Sequence, residues 1–286
     1  MPRLSIVTTC KGRLQHLRES LPTFLAQPDC EVIVVDFDCP DGTADVVARD
    51  FPAARVVKVK DEPHFDIARA RNTGGDAAAG EWVAFIDADV LIVPEFHARL
   101  AAQMKPGVFL RFFPRRRGAS LFGSCVMRRE DYRAVGRYDE VMQGYGADDQ
   151  EMYFRLELSG LAPIALDFDL VARVMGHDDA ARIQYGRLPS MLHHQRINSA
   201  YLVVKATLLR LLGVNGLSPE QCRTLYQLVG EVVEDANRSP DAPVHFTIDL
   251  PPEPLGIPMP AWQAQRRLVF DLTPTELFAP DDPDQA

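Results

Sequence analysis

The sequence predicts an α/β fold built on a doubly wound, mostly parallel sheet. Three observations lead there. Residues 4–9, 31–38 and 81–90 are continuous apolar runs rich in β-branched side chains, the pattern of strands buried on both faces. The segment after the first run has helical spacing, with leucines at 14, 17, 21 and 25. Strand and helix then alternate, which right-handed βαβ units turn into a parallel, Rossmann-like sheet.

The elements follow in order. LSIVTT (4–9) is the first strand, 14–25 the first helix and EVIVVDFD (31–38) the second strand. Asp41-Gly42-Thr43 supplies a turn, a helix runs over 44–50, and another covers 67–79 before EWVAFIDADV (81–90). Past residue 90 the pattern is less regular: 108–113, 121–128 and 166–174 read as strands, 129–135 and 148–158 as helices. Beyond residue 189 the character is helical, with one helix near 198–212 and a second opening at Ser218-Pro219-Glu220-Gln221. That opening has a Ser cap, a Pro at the first helical position and a Gln at the capping-box site. Residues 240–286 are rich in proline and end in Asp281-Asp282-Pro283-Asp284, the composition of a disordered tail. The expected division is therefore 1–197 for the sheet domain and 198–286 for a helical C-terminal extension with a proline-rich, acidic tail.

Bulk properties exclude several classes. With 286 residues, 47% hydrophobic and 25% charged, the chain can bury a sizeable core. A net charge of -9 speaks against nucleic-acid binding, which needs clustered Lys and Arg. The five cysteines contain no CxxC pair, which points to free thiols in a reducing compartment. The first strand begins at Leu4, which leaves no signal peptide, and no apolar run approaches the ~20 residues of a membrane span. The expectation is a cytoplasmic protein.

Four Asp-x-Asp steps occur, at 36/38, 87/89, 167/169 and 282/284, so the spacing alone has little meaning. Asp87 and Asp89 differ because the apolar run Trp82 to Ile86 delivers them to the carboxyl end of a strand, the edge where open α/β sheets bind ligands. Two carboxylates there repel each other and need a cation. Hard oxygen ligands suit Mg²⁺ or Mn²⁺, which can bridge a diphosphate; the competing reading is a turn cap. Asp36 and Asp38 end the second strand on the same edge, and Arg69 and Arg71 bring planar cations suited to phosphate oxygens. Gln143-Gly144-Tyr145-Gly146-Ala147 reads as a flexible loop, and the acids behind it, Asp148, Asp149 and Glu151, start a helix. They either cap that helix or accept a proton from a bound hydroxyl. His177 lies just past the 166–174 strand, where it could join Asp89 on a metal. His193-His194, with Arg196 and Asn198 behind them, meet either phosphate or solvent.

Taken together and in this order, TTCKGR, VVDFDCPDGT, ARARNTGG, FIDADV, GYGADDQEMYFRL and MGH resemble a GT-A glycosyltransferase of inverting family 2. Residues 121–177 are similar to the galactosyltransferase carboxy-terminal region shared with β-1,4-galactosyltransferases and chondroitin-type polymerases. The resemblance implies a nucleotide-sugar donor, UDP-linked, and a saccharide or other hydroxyl-bearing acceptor. It implies that Thr8 and Arg13, in the loop after the first strand, and Arg71 contact the nucleotide. Asp36, with Asp38 nearby, matches the acid on the uracil ring, and Asp87 the acid facing the ribose or sugar. Asp89 and His177 match the ligands of Mn²⁺ or Mg²⁺, Tyr145 and Asp148 match acceptor positions, and Asp149 matches the general base of an inverting displacement. Tyr145 replaces a tryptophan of the galactosyltransferases, Ala147 a glycine and Gln150 an acid, so the acceptor is not inherited.

Three other functions compete with this one. A hydrolase using two carboxylates leaves the paired arginines and the nucleotide-side acids unexplained. A sugar nucleotidyltransferase needs a glycine-rich phosphate loop after the first strand, which residues 8–13 do not supply. A non-catalytic carbohydrate-binding protein on the same fold would have lost the acids that are present here. The helices after residue 198 have three roles open to them: closing the site, forming a homo-oligomer or binding a partner.

Overall fold

The computed structural model describes residues 3–113, 121–176, 184–186, 190–236, 243–250 and 266–273. Its centre is a seven-stranded sheet in the order β3-β2-β1-β4-β7-β6-β8. The strands are β1 (Leu4–Cys10), β2 (Cys30–Phe37), β3 (Arg55–Val59), β4 (Trp82–Phe85), β6 (Val108–Arg111), β7 (Cys125–Arg128) and β8 (Ala162–Ala165). β1 pairs in parallel with β2 and β4, and β2 with β3. β7 runs antiparallel to both β4 and β6, so the parallel half carries a mixed second half.

Alternation along β1 explains the continuous apolar runs. Ile6 and Cys10 enter one core with Leu17, Leu21 and Phe24 of helix α1 (Leu14–Leu25). Val7 faces the other core, with Phe85, Tyr132, Met152 and Tyr153. Helices α2 (Thr43–Asp50), α3 (Ile67–Ala77), α4 (Phe96–Ala101), α5 (Arg129–Ala134) and α6 (Asp148–Leu158) complete the domain. Both faces at the centre of the sheet are therefore covered, and β1, β2 and β4 show no exposed side.

Several expectations need correction. The 81–90 run is not one strand. β4 ends at Phe85, a turn closes with Val90 N donating to Asp87 O at 3.1 Å, and β5 (Val90–Ile92) leaves the main sheet. β5 pairs antiparallel with β9 (Val171–Val174) instead. The expected 166–174 strand is divided between β9 and a 3₁₀ turn at Phe168–Leu170. β3 has no counterpart in the sequence pattern: it is an edge strand whose Arg55 and Lys58 are exposed, which interrupts the apolar run.

At the C-terminal end, α7 (Met191–Leu212) and α8 (Pro219–Ala236) pack on one another around Tyr201, Val204, Leu208, Leu225, Val229 and Val233. The capping box forms as read: Ser218 N donates to Gln221 Oε1 at 2.8 Å, and Gln221 N to Ser218 Oγ at 3.2 Å. Residues 240–286 are not all tail, because β10 (Val244–Leu250) and β11 (Arg266–Leu272) form an antiparallel ribbon. Phe246 and Phe270 stack across it at 5.1 Å, and Val244 and Phe270 join the α7–α8 core. The extension is thus helical with a β-ribbon, and α7 runs straight through the expected boundary at 197/198. Among the described residues, no helix is long and apolar enough to cross a membrane.

Candidate active site

The carboxyl ends of β1, β2 and β4 lie side by side, with Cys10 opposite Asp36 and Val7 opposite Phe85. Thr8 sits inside β1 rather than in the following loop; it is 1% exposed, and its Oγ1 has no hydrogen-bond partner among the described residues. Arg13 immediately precedes α1. Between them Lys11, unassigned from the sequence, is buried and donates to the carbonyls of Phe37 (3.1 Å), Asp38 (2.9 Å) and Glu62 (2.6 Å). It ties the loop after β1 to the end of β2. One charged group meeting three carbonyls satisfies all three of its donors.

Asp36 is buried, and its two oxygens accept from the backbone amides of Cys39 (2.8 Å) and Ala44 (2.7 Å). It therefore anchors the start of α2 while keeping lone pairs to spare. Asp38 has a left-handed backbone (φ 49°) and accepts from Glu62 N at 3.1 Å.

The core of the site is Arg71, on α3. Its Nη1 donates to Asp148 Oδ2 at 2.6 Å and its Nη2 to Asp87 Oδ1 at 3.1 Å. The guanidinium lies 5.1 Å from the centroid of the Tyr138 ring. Burial disfavours its charge, but the Tyr138 ring and the Asp87 and Asp148 carboxylates outweigh burial and push its pKa up. Gly123 makes room for this pair: a Cβ there would stand 2.3 Å from Arg71 Nη2 and 2.9 Å from Asp87 Oδ2. Arg69, expected beside it, points elsewhere, is exposed and pairs with Glu62.

Asp148 and Asp149 open α6, both largely buried. Burial raises the Asp148 carboxyl, against the pull of Arg71. Burial and the adjacent Asp148 push Asp149 up to about 7, again opposed by Arg71. A carboxylate near neutrality is matched to proton abstraction at physiological pH. Glu151 has a different task. It is buried and receives Arg155 at 2.7 and 2.6 Å, while Lys205 of α7 bridges it (2.6 Å) to Asp139 (2.5 Å).

Asp89 lies between β4 and β5, and its carbonyl accepts from Met175 N at 2.8 Å. The β5–β9 pairing sets Val90 opposite Val174 and so brings the chain entering 177 alongside Asp89. His177 itself lies outside the described residues. Among the described residues, no three His, Cys, Asp or Glu side chains form a metal cluster.

The 143–147 loop is not the free lid its glycines suggest. It is tied by the C-terminal helices. Asn198 Nδ2 faces the carbonyls of Gln143 (3.0 Å), Tyr145 (3.4 Å) and Gly146 (2.9 Å). Tyr145 N donates to His194 Nδ1 at 3.0 Å, and Gln143 N to the Tyr226 hydroxyl at 3.2 Å. His194 and Asn198 meet protein rather than phosphate, and both are buried. Neither partnership is readable from the sequence, because each spans about fifty residues of chain.

A fold with this topology and an acid-rich strand edge is that of a GT-A glycosyltransferase. Residues 5–120 match the model of Glycosyl transferase family 2, and residues 108–182 match that described as the N-terminal domain of galactosyltransferase. The chain is a glycosyltransferase, and the two matched ranges overlap over residues 108–120. None of the curated proteins compared with it matches. Among solved structures, the mannosyltransferase PcManGT from Pyrobaculum calidifontis, in complex with GDP-Man and Mn²⁺, is similar with a TM-score of 0.54 at 19% identity, over 82% of this chain and 76% of that one. S. aureus TarS 1-349 is similar in its complex with UDP-GlcNAc (TM-score 0.55) at 16% identity, over 82% and 91% of the two chains. These likenesses are likenesses of fold.

Proposed function

We propose that the protein transfers a hexosyl or N-acetylhexosaminyl group from a UDP-linked donor to an acceptor hydroxyl, with inversion and with Asp149 as general base. The observation behind this reading is the double bridge of Arg71, which sets the Asp87 edge and the Asp148-Asp149 helix start side by side. Donor acids and acceptor acids then face one reaction centre. Asp149, raised to about 7, takes the proton of the acceptor hydroxyl as its oxygen attacks the anomeric carbon. Arg71 keeps its charge and opposes the rise that burial and the nearby Asp148 impose on Asp149. Thr8, Arg13, Asp36, Asp38, Arg71 and Asp87 serve the nucleotide sugar in this reading; Tyr145 and Asp148 serve the acceptor.

Asp89 fits a metal, as a hard oxygen donor beside the strand that leads to His177. Asp89 and His177 would hold Mn²⁺ or Mg²⁺, which supplies positive charge against the diphosphate leaving group. Both compared neighbours are complexes with nucleotide sugars, one GDP-linked and one UDP-linked. UDP is preferred here because Asp36 stands at the uracil-pairing position of the family pattern.

The test is thermal stabilisation by UDP with Mn²⁺ against GDP, dTDP and metal alone, followed by the Asp149→Asn protein. Stabilisation by UDP with Mn²⁺, and an Asp149→Asn protein that binds UDP yet transfers no sugar, support the reading. Full turnover by Asp149→Asn rules out the base, and a preference for GDP rules out the donor.

A further inference from the structure

We infer that the C-terminal helices belong to the acceptor subsite, with Asn198 as its positioning residue. The inference rests on the function proposed above. Gly144, Gly146 and Ala147 have positive φ of 75°, 96° and 65°; the two glycines adopt it freely, but at Ala147 it is strained and calls for support from the surroundings. That support comes chiefly from one side chain. Asn198 is 1% exposed; its Oδ1 accepts from the Tyr226 hydroxyl at 2.8 Å, which turns its Nδ2 toward the three loop carbonyls. Tyr226 in turn accepts from Gln143 N and packs edge-on against Tyr201 at 5.2 Å. The loop ends where α6 begins, so its shape sets both Tyr145 and the Asp148-Asp149 pair. The Lys205 bridge to Glu151 fixes α7 to α6 from below, leaving the loop no slack.

A merely structural asparagine would change stability and leave the partition of kinetic constants alone. A positioning asparagine affects turnover while the donor still binds. Two variants remove the bonds with little change of shape: Asn198→Asp, nearly isosteric but presenting oxygen to the three carbonyls, and the milder Tyr226→Phe, which keeps the ring and introduces no charge. Leu192→Ala, on the exposed side of α7, is the control. Each protein is assayed for UDP or GDP release from UDP-N-acetylglucosamine, UDP-galactose, UDP-glucose and GDP-mannose with Mn²⁺, and for amide exchange over 143–149. Tenfold faster exchange in both variants, a tenfold or greater fall in kcat, and a donor KM within twofold of the unaltered protein support the inference. Unchanged exchange overturns it, as does a fall in kcat matched by loss of UDP–Mn²⁺ stabilisation. If the unaltered protein neither binds nor turns over any of these donors, the proposed function fails and the acceptor role with it. The exchange result then separates that failure from failure of the Asn198 clamp.

Discussion

Arg71 and Asp148, 77 residues apart in the chain, meet at 2.6 Å with side-chain exposures of 7% and 13%. An ion pair this far out of water is costly to form and far more costly to break from one side. Its presence at the junction of a strand edge and a helix start means that the two acids it touches, Asp87 and Asp148, are placed by the cation rather than by their own loops. The expectations below follow from that arrangement.

Asp149→Asn is expected to lower transfer turnover by about 10²–10⁴-fold, the usual contribution of a general base, with UDP–Mn²⁺ stabilisation kept. Turnover of the unaltered protein should rise with pH through about 7, as Asp149 ionises, and level off above it. A pH–rate profile of kcat, flat in the variant, checks both.

The same substitution has a stability signature. A carboxyl raised from 3.8 to about 7 in the folded state binds its proton more tightly there than in the unfolded chain. Its favourable contribution is whole below pH 3.8 and is lost as pH rises through about 7. The amide that Asp149→Asn introduces cannot ionise. The stability of the variant relative to the unaltered protein should therefore grow as pH rises from about 4 to about 7, and stay level above. Urea unfolding at about pH 4.5, 6 and 8 measures it.

Arg71→Ala should destabilise the fold by about 3–5 kcal/mol, because it leaves two partly buried carboxylates without a partner. Arg71→Lys keeps the charge but cannot reach both acids at once, so it should recover stability in part and transfer activity much less. Denaturation midpoints beside kcat values separate the two effects.

Gly144→Ala is expected to lower the melting temperature by several degrees and slow transfer. Gly144 has φ 75°, and a Cβ there would stand 1.5 Å from His194 Nδ1, so the loop or α7 must shift. An unaltered melting temperature would show that the loop is not seated on His194.

Asp89→Ala should abolish metal-dependent stabilisation by UDP. Titration of UDP with and without Mn²⁺ tests it, and undiminished metal dependence removes Asp89 from the metal site.

Much of the framework was legible because it is local. The leucine spacing marks α1 at its observed bounds, and Ser218 with Gln221 marks the start of α8 by chemistry confined to four residues. The acids at strand ends were legible for the same reason. What was hidden depends on distant partners. The run through Asp87 and Asp89 resembles one strand because nothing local shows that β5 pairs with β9. The prolines between β10 and β11 mask the alternation of VHFTIDL, which has meaning only when the two strands meet. Arg71 reads as a phosphate ligand from its polar neighbours in sequence; its two carboxylate partners come from other elements.

One helix carries a wider consequence. α7 starts before residue 197 and ends after it, bonding the 143–147 loop through one turn and the Asp139–Glu151 pair through Lys205 two turns later. Among the described residues, 197/198 is therefore not a seam at which a sheet half could be exchanged for another enzyme's. A graft that swaps the extension swaps the clamp on the 143–147 loop with it, so on the proposed function new acceptor preference in such chimeras should track the source of α7 rather than the source of the sheet.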